Sequence, residues 1–350
     1  MSVIYSVSRR SFILSCLSGA FIPSAAATFS NNSFDSNSFE PFTFVFISDC
    51  HLTSGLSDSF MLLQESQLFL QEAIKQINLL KPDFVIFGGD QVQGVGADEI
   101  HWQLFLDIVQ SLDCSWYFVL GEADISGNMP VNKMRTFGRD WKGRGLNNDV
   151  PYWSCNPLSG LHLIGLDTSQ ANSVTGYIDE EQLEWLKQDI GQKTRPVTVV
   201  VSHHPILPPI TVDSNNSYLL PQASAVRQIL EKSDGQVISV SGHTHLSKIQ
   251  WQNNIWYISS PSLDIYPCAF RLFKVTTQEV QVDTYQVSFP ALVKKAKTNM
   301  LNSNLANLLS SGKSSDLVRL ALGSHTDQNA RLSLKESGKI EAHAKVSIIR

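Results

Sequence analysis

Histidines and carboxylates gather at five places in this 350-residue chain, each just beyond an apolar run of strand length. They are Asp49-Cys50-His51, Gly88-Gly89-Asp90, Gly121-Glu122-Ala123-Asp124, His203-His204-Pro205 and Gly242-His243-Thr244-His245. Imidazole mixed with carboxylate is the donor set of borderline transition metals such as Mn, Fe, Zn or Ni, whereas Ca prefers an all-oxygen shell. Asp49 and His51, two positions apart at a strand end, can face one ion together. A carboxylate such as Asp90 can bridge two ions, and its flanking glycines let the backbone come close. Taken alone each motif is weak, since D-x-H arises by chance and His-His-Pro is usually structural. Their shared placement after strands makes a two-metal centre the expectation.

The elements that must position these groups follow from the apolar pattern. Near-continuous apolar runs at 42–48, 84–87, 116–120, 161–166, 197–202, 237–241 and 256–258 predict strands covered on both faces. Between about residues 60 and 80, Phe69, Ala73, Ile77 and Leu80 recur at helical spacing, and Pro82 closes that helix. Further helices are predicted near 98–111 and 179–190. Alternation of this kind predicts an α/β fold, whose open sheets place ligands beyond the carboxyl ends of the strands. The chain is 43% hydrophobic, enough for a sizeable core. Its net charge of −5 argues against a nucleic-acid partner, which needs concentrated Lys and Arg. No apolar run reaches the ~18 residues that span a bilayer, so no transmembrane segment is expected.

In this order, the five motifs resemble the signature of the calcineurin-like metallophosphoesterase superfamily over roughly residues 42–285. The His-His-Pro is most similar to the bacterial cyclic-nucleotide phosphodiesterase branch. Gln93 stands where purple acid phosphatases carry their tyrosine. The resemblance implies a four-layer αββα sandwich of two mixed sheets flanked by helices. It implies that Asp49, His51, Asp90 and His245 hold a first metal, that Asp90 bridges, and that His203 and His243 hold a second. The cofactors would be two divalent or mixed-valence transition metal ions. The activity implied is hydrolysis of a small phosphomonoester or phosphodiester by a dinuclear centre and its metal-bound hydroxide.

One element departs from the family. Where members read Gly-Asn-His-Asp, this chain reads Gly121-Glu122-Ala123-Asp124. Glu122 takes the place of the ligand asparagine and can still coordinate, but it adds a negative charge. Two divalent ions with three ligand carboxylates leave the centre about one positive charge poorer than the family pattern, so it attracts an anionic ester less strongly. Ala123 replaces the histidine that assists the leaving group, a loss that typically costs ~10²–10⁴ in rate. Asp124, the support of that histidine, then loses its partner, and His204 becomes the candidate replacement for the proton-transfer role. The alternative reading is a metal-binding pseudo-phosphoesterase that holds a phosphorylated ligand or partner without turnover.

At the amino terminus, Arg9-Arg10 before Phe12-Ile13-Leu14, an apolar run, and Ala25-Ala26-Ala27 form a twin-arginine-type signal over 1–27, followed by a Ser- and Asn-rich disordered spacer over 28–40. That predicts export to the periplasm or outside. The phosphoesterase domain is expected over 41–290 and a basic, partly helical, solvated extension over 291–350. From residue 294 this last segment has ten Lys or Arg against four Asp or Glu, and it could touch an anionic surface. The segment 126–150, with Trp141 and five basic residues, is either a flap over the site or an ordinary surface loop. Residues 205–209, rich in proline, are expected to shape the cleft wall. Cys50, Cys114, Cys155 and Cys268 lack C-x-x-C spacing and read as ordinary thiols.

Overall fold

In the computed structural model, residues 39–54, 59–93, 99–125, 150–192, 195–210, 218–304, 313–335 and 337–343 are described. The first sheet has seven strands. Its parallel part is β1 (Phe42–Ile47), β2 (Phe84–Phe87) and β3 (Ser115–Phe118). On the other side of β1, a run of antiparallel neighbours follows: β10 (Ala269–Val275), β11 (Glu279–Gln286), β12 (Ala330–Ser333) and β13 (Ile340–Ala342). The second sheet runs β4-β5-β6-β7-β9-β8. Here β5 (Leu161–Leu166), β6 (Val197–Ser202), β7 (Gln236–Ser241) and β9 (Ile255–Ser259) are parallel. The edges β4 (Trp153–Cys155) and β8 (Lys248–Gln252) are antiparallel. Two mixed sheets flanked by helices are the expected sandwich.

The expected strands match because each is buried on both faces: β2, β5 and β6 have no exposed residue. Phe44 shows how one position serves several strands, its ring stacking on Phe84 of β2 and Phe273 of β10 with centroids 5.4 and 4.5 Å away. Helices α1 (Ser66–Leu80) and α2 (Glu99–Val109) add Phe69, Ile77, Phe105 and Val109 to the same core. Helices α3 (Glu180–Gln192) and α4 (Ala223–Leu230) close a smaller core on the second sheet, around Leu186, Val200 and Val226. The sheets are tied together by buried indoles: Trp153 Nε1 donates to the Phe118 carbonyl at 3.0 Å and Trp256 Nε1 to that of Ser333 at 3.1 Å.

The region after residue 290 differs from its expectation as a solvated extension. Helices α5 (Pro290–Leu301), α6 (Ser314–Leu322) and α7 (His325–Gln328) lead into β12 and β13, which complete the first sheet. Ala296, Met300, Leu317, Ala321, Ala330 and Leu332 are all at most 2% exposed and belong to the main core. The buried Arg271 ties this segment down by donating to the Asp327 carbonyl at 2.8 Å and to that of Ser259 at 3.1 Å. The composition misled because the charged residues stay at the surface, such as Lys294 and Lys297 on α5, while each short element buries only a few apolar residues.

The signal segment and the stretch 126–149 lie outside the described residues. Of the spacer, only Phe39 and Glu40 are described, and Phe39 packs on Phe42 at 5.9 Å. Among the described residues Cys50, Cys114, Cys155 and Cys268 form no disulfide, and Cys50 and Cys268 are fully buried. No helix among the described residues is long and apolar enough to cross a membrane.

Candidate metal centre

The ligand-type residues leave the carboxyl ends of β1, β2, β3, β6 and β7, so both sheets aim their parallel strands at one cleft. The first two loops are stitched in register: Asp49 N–H donates to the Gly89 carbonyl at 3.0 Å and His51 N–H to that of Asp90 at 2.9 Å. The turns are sharp. Asp49, His51, Asp90, His243 and His245 all have positive φ, between 41° and 64°. Such backbones cost about 1–3 kcal/mol each for non-glycine residues and persist only where surroundings over-determine them, typically at functional sites. Glycine supplies the close approaches. A Cβ on Gly121 would fall 2.1 Å from Asp90 Oδ1, and one on Gly89 (φ +98°) would fall 2.2 Å from His203 Nδ1.

Three overlapping clusters result, each with ligand atoms within 4.8 Å of one another: Asp49–His51–His245, Glu122–His203–His243 and Asp49–Asp90–His203. All seven residues expected as ligands are therefore brought together. Asp49 Oδ1 lies 3.2 Å from His245 Nε2, and His51 Nε2 lies 3.8 Å from Asp90 Oδ2. His203 Nε2 stands among three carboxylates, 3.0 Å from Glu122, 3.4 Å from Asp90 and 3.9 Å from Asp49. Glu122 also reaches His243 Nδ1 at 2.9 Å, spanning both imidazoles of the second cluster.

Partners behind the imidazoles set their orientation. His203 donates from Nδ1 to the Gly88 carbonyl at 2.8 Å, and His51 Nδ1 meets Gln93 Oε1 at 2.8 Å. Each therefore turns Nε2 into the cleft, the arrangement that metal-binding histidines need. Among the described residues, the Nε2 atoms of His51 and His243 are buried without a hydrogen-bond partner. Asp90 is held by the Ala123 N–H, which donates to Oδ1 at 2.7 Å, while Oδ2 faces the imidazoles. Thr168 and Ser262 carry no motif of their own; hydrogen bonds, from Thr168 Oγ1 to His204 Nδ1 at 2.9 Å and from Ser262 Oγ to Asp264 Oδ1 at 2.8 Å, mark them as supports.

Electrostatics point the same way. Burial raises the Asp49 and Glu122 carboxyls, yet the facing histidines outweigh it and hold both well below the usual carboxylate range. Burial lowers His51 and His203, but crowding by Asp264, Asp90 and Asp49 carries His51 to about 9, and Asp90 with Glu122 lifts His203 well above its ordinary value. A buried knot of carboxylates thus demands positive charge. Metal cations held between the carboxylates and imidazoles would supply it. The mixed nitrogen and oxygen donor set, the inward-turned Nε2 atoms and the charge balance all fit two transition metal ions.

Two residues expected to act on protons are placed otherwise. Asp124 is fully buried and accepts from Val92 N–H at 3.0 Å and Gly121 N–H at 2.9 Å, clamping the second loop to the third. Burial and Asp90 push its carboxyl up to about 8 against the pull of those amides. His204 is also fully buried. Its Nδ1 meets Thr168 Oγ1 at 2.9 Å and its Nε2 the Val174 carbonyl at 3.3 Å, while its ring lies 4.0 Å from that of His243. Burial and the neighbouring His243 hold it well below the ordinary histidine pKa, so it stays neutral. It packs against the second cluster, its Nε2 3.8 Å from Glu122 Oε2. Ala123 itself, 7% exposed, presents only a methyl group.

A family profile described as calcineurin-like phosphoesterase matches residues 42–247, more than half of the chain and all seven ligand-type residues. The chain belongs to the calcineurin-like phosphoesterase family. With that membership comes a class of hydrolases acting on phosphoric esters. Among curated relatives, a probable cyclic nucleotide phosphodiesterase of Synechococcus is 23% identical over 52% of this chain and 65% of its own length, just under two thirds. A probable glycerophosphodiester phosphodiesterase GpdQ of Arcobacter nitrofigilis is 27% identical over 55% of this chain and 68% of its own. A dimetal phosphatase from Danio rerio shares the fold, with TM-score 0.59 and 13% identity over 70% of this chain and 96% of that one.

Proposed function

We propose that this calcineurin-like phosphoesterase hydrolyses small phosphodiesters with two transition metal ions drawn from Mn, Fe, Zn and Ni. The observation that carries the reading is the meeting of two ligand clusters at Asp90 and His203, whose facing atoms lie 3.4 Å apart. Asp49, His51, Asp90 and His245 would hold one ion, and Asp90, Glu122, His203 and His243 the other. Bound metals would polarise a phosphoryl oxygen and acidify a water. The phosphodiesterases named among the relatives support a diester substrate.

The chain's own residues set the limits of the chemistry. Asp49 and Asp90 hold fixed negative charge in position, with His243 N–H donating to both Asp49 oxygens at 3.2 Å. No side chain at position 123 can protonate the departing alcohol, so the reaction favours leaving groups that need no proton. Ala123 also favours the second reading, a phosphoester-binding protein without turnover. An assay separates them: bis(p-nitrophenyl) phosphate with Mn added, wild type against Asp90→Asn, with metal content measured on both. Release of p-nitrophenolate by wild type alone, together with two ions per chain, is the expected result. Equal rates in both proteins would sink the hydrolase reading. The twin-arginine pattern at 9–14 supports export, which fractionation of cells expressing the Arg9→Lys, Arg10→Lys variant tests: retention of that variant in the cytoplasm is expected, and unchanged export overturns the route.

A further inference from the structure

The ligand clusters account for the floor of the cleft but leave its flank unexplained. Against the turn 243–245 lies an apolar pocket of about 50 Å³, walled by Phe60, Tyr218, Leu246, Ile265, Met300 and Leu317. Met300 and Leu317 come from α5 and α6, beyond the matched stretch 42–247. The wall was therefore built by the segment that the sequence presented as a solvated tail. A second feature points to a ligand. Thr244, between His243 and His245, also lines the pocket, is 8% exposed, and carries a hydroxyl with no hydrogen-bond partner among the described residues.

We propose that this pocket receives a short apolar ester group of the phosphodiester, with the Thr244 hydroxyl donating to the oxygen that carries it. The inference rests on the phosphodiesterase reading and narrows its substrate class. Size sets the limit. A cavity of ~150 Å³ takes a six-carbon ring, so 50 Å³ takes roughly two or three carbons. Polarity sets the type: apart from Thr244, the histidines and Tyr218, whose ring lies 5.6 Å from that of His243, the lining is the apolar side chains of Phe60, Leu246, Ile265, Met300 and Leu317. A glycerol-sized polar group would bury hydroxyls against Leu246, Ile265 and Leu317 without partners. The phosphate then sits toward His243 and His245, and the reacting ester points away from the pocket.

The test is a series of p-nitrophenyl phosphodiesters whose second ester group is methyl, ethyl, propyl, butyl or 2-hydroxyethyl, assayed on Mn-loaded protein. From methyl to propyl, kcat/KM should rise about fourfold per methylene, the value of burying one CH₂, and then fall at butyl. The 2-hydroxyethyl ester, matched in size to propyl, should lie at least fivefold below it. Leu317→Ala should move the optimum to butyl or beyond, and Met300→Ala serves the same purpose if Leu317→Ala does not fold. Thr244→Val should lower kcat/KM about tenfold for every ester without changing their order. Competition by methyl-, ethyl- and propylphosphonate should follow the same order, a readout that needs no turnover of the probe. A flat ester series, or an optimum unmoved by a folded wall variant, overturns the pocket's assignment while leaving hydrolysis standing. No turnover of any ester overturns the hydrolase reading and this inference with it.

Discussion

The two halves of the candidate centre are built from the same parts by different means. Around Asp49, one carboxylate faces two imidazoles, and the orientation is imposed from outside: Gln93 turns His51, and the His243 amide holds Asp49. Around Glu122, one carboxylate again faces two imidazoles, but here it touches both directly, at 2.9 and 3.0 Å. The family signature places a neutral amide in that position. Glu122 thus makes the halves equal in donor type and charge, with Asp90 shared between them. Ligand charge is a main lever on the affinity of oxygen-ligated cations. Equal halves should bind two ions of one kind with similar affinity.

The largest effect follows from breaking what the halves share. Asp90→Asn removes the charge that both rely on, and activity is expected to fall on the order of 10³-fold, with bound metal dropping from two ions per chain to one or none. Metal analysis beside diesterase kinetics checks both. Next comes the second half alone. Glu122→Ala should remove one ion and about 10² in rate, whereas Glu122→Asn should keep both ions but split a single binding isotherm into two steps. An isotherm that stays single in Glu122→Asn would mean the halves were never matched by charge.

How much of this arrangement was legible beforehand depends on whether the signal was local. The parallel strands were readable because β2, β5 and β6 are buried on both faces and so appear as unbroken apolar runs. The seven ligand-type residues were readable because they follow such runs closely and in the order of a known signature. The antiparallel half was not. β11 alternates buried and half-exposed residues around Asp283 and Thr284, and β12 is only four residues long. Their burial depends on partners far away in sequence, as when Trp256 reaches the Ser333 carbonyl. Where the side chains of Asp124 and His204 point was not legible for a similar reason. A motif names a residue type at a strand end, but which way it points is decided by Val92 and Gly121 in one case and by Thr168 and Val174 in the other. Gln93 and Thr244 stand within the motifs, but what their side chains touch was not legible, because the contacts join loops that sequence spacing does not bring together.

A smaller effect tests the difference that Ala123 introduces between this chain and its family. Restoring a proton donor with Ala123→His should raise turnover of poor leaving groups at least tenfold, consistent with general-acid catalysis of ~10²–10⁴. Nitrophenolate, which leaves without a proton, should gain much less. The slope of rate against leaving-group acidity is the measurement, and it should flatten. An unchanged slope would place the limiting step elsewhere, before the bond to the alcohol breaks.

The smallest effect on rate concerns the neighbours His203 and His204, adjacent in sequence yet opposite in role. Thr168 accepts from the His204 N–H at 3.1 Å and meets Nδ1 at 2.9 Å, in a fully buried position. Thr168→Val keeps the shape and strips both partners, which should cost about 1–3 kcal/mol of stability. Because His204 stays neutral and its ring nitrogens meet Thr168 and the Val174 carbonyl, with Glu122 Oε2 farther off at 3.8 Å, kcat/KM should change by less than about threefold. Thermal melts and diesterase kinetics on the same preparation separate the two quantities. A loss of a hundredfold or more in a variant that still melts cooperatively would return His204 to the reaction, and with it the proton-transfer role that its packing now argues against.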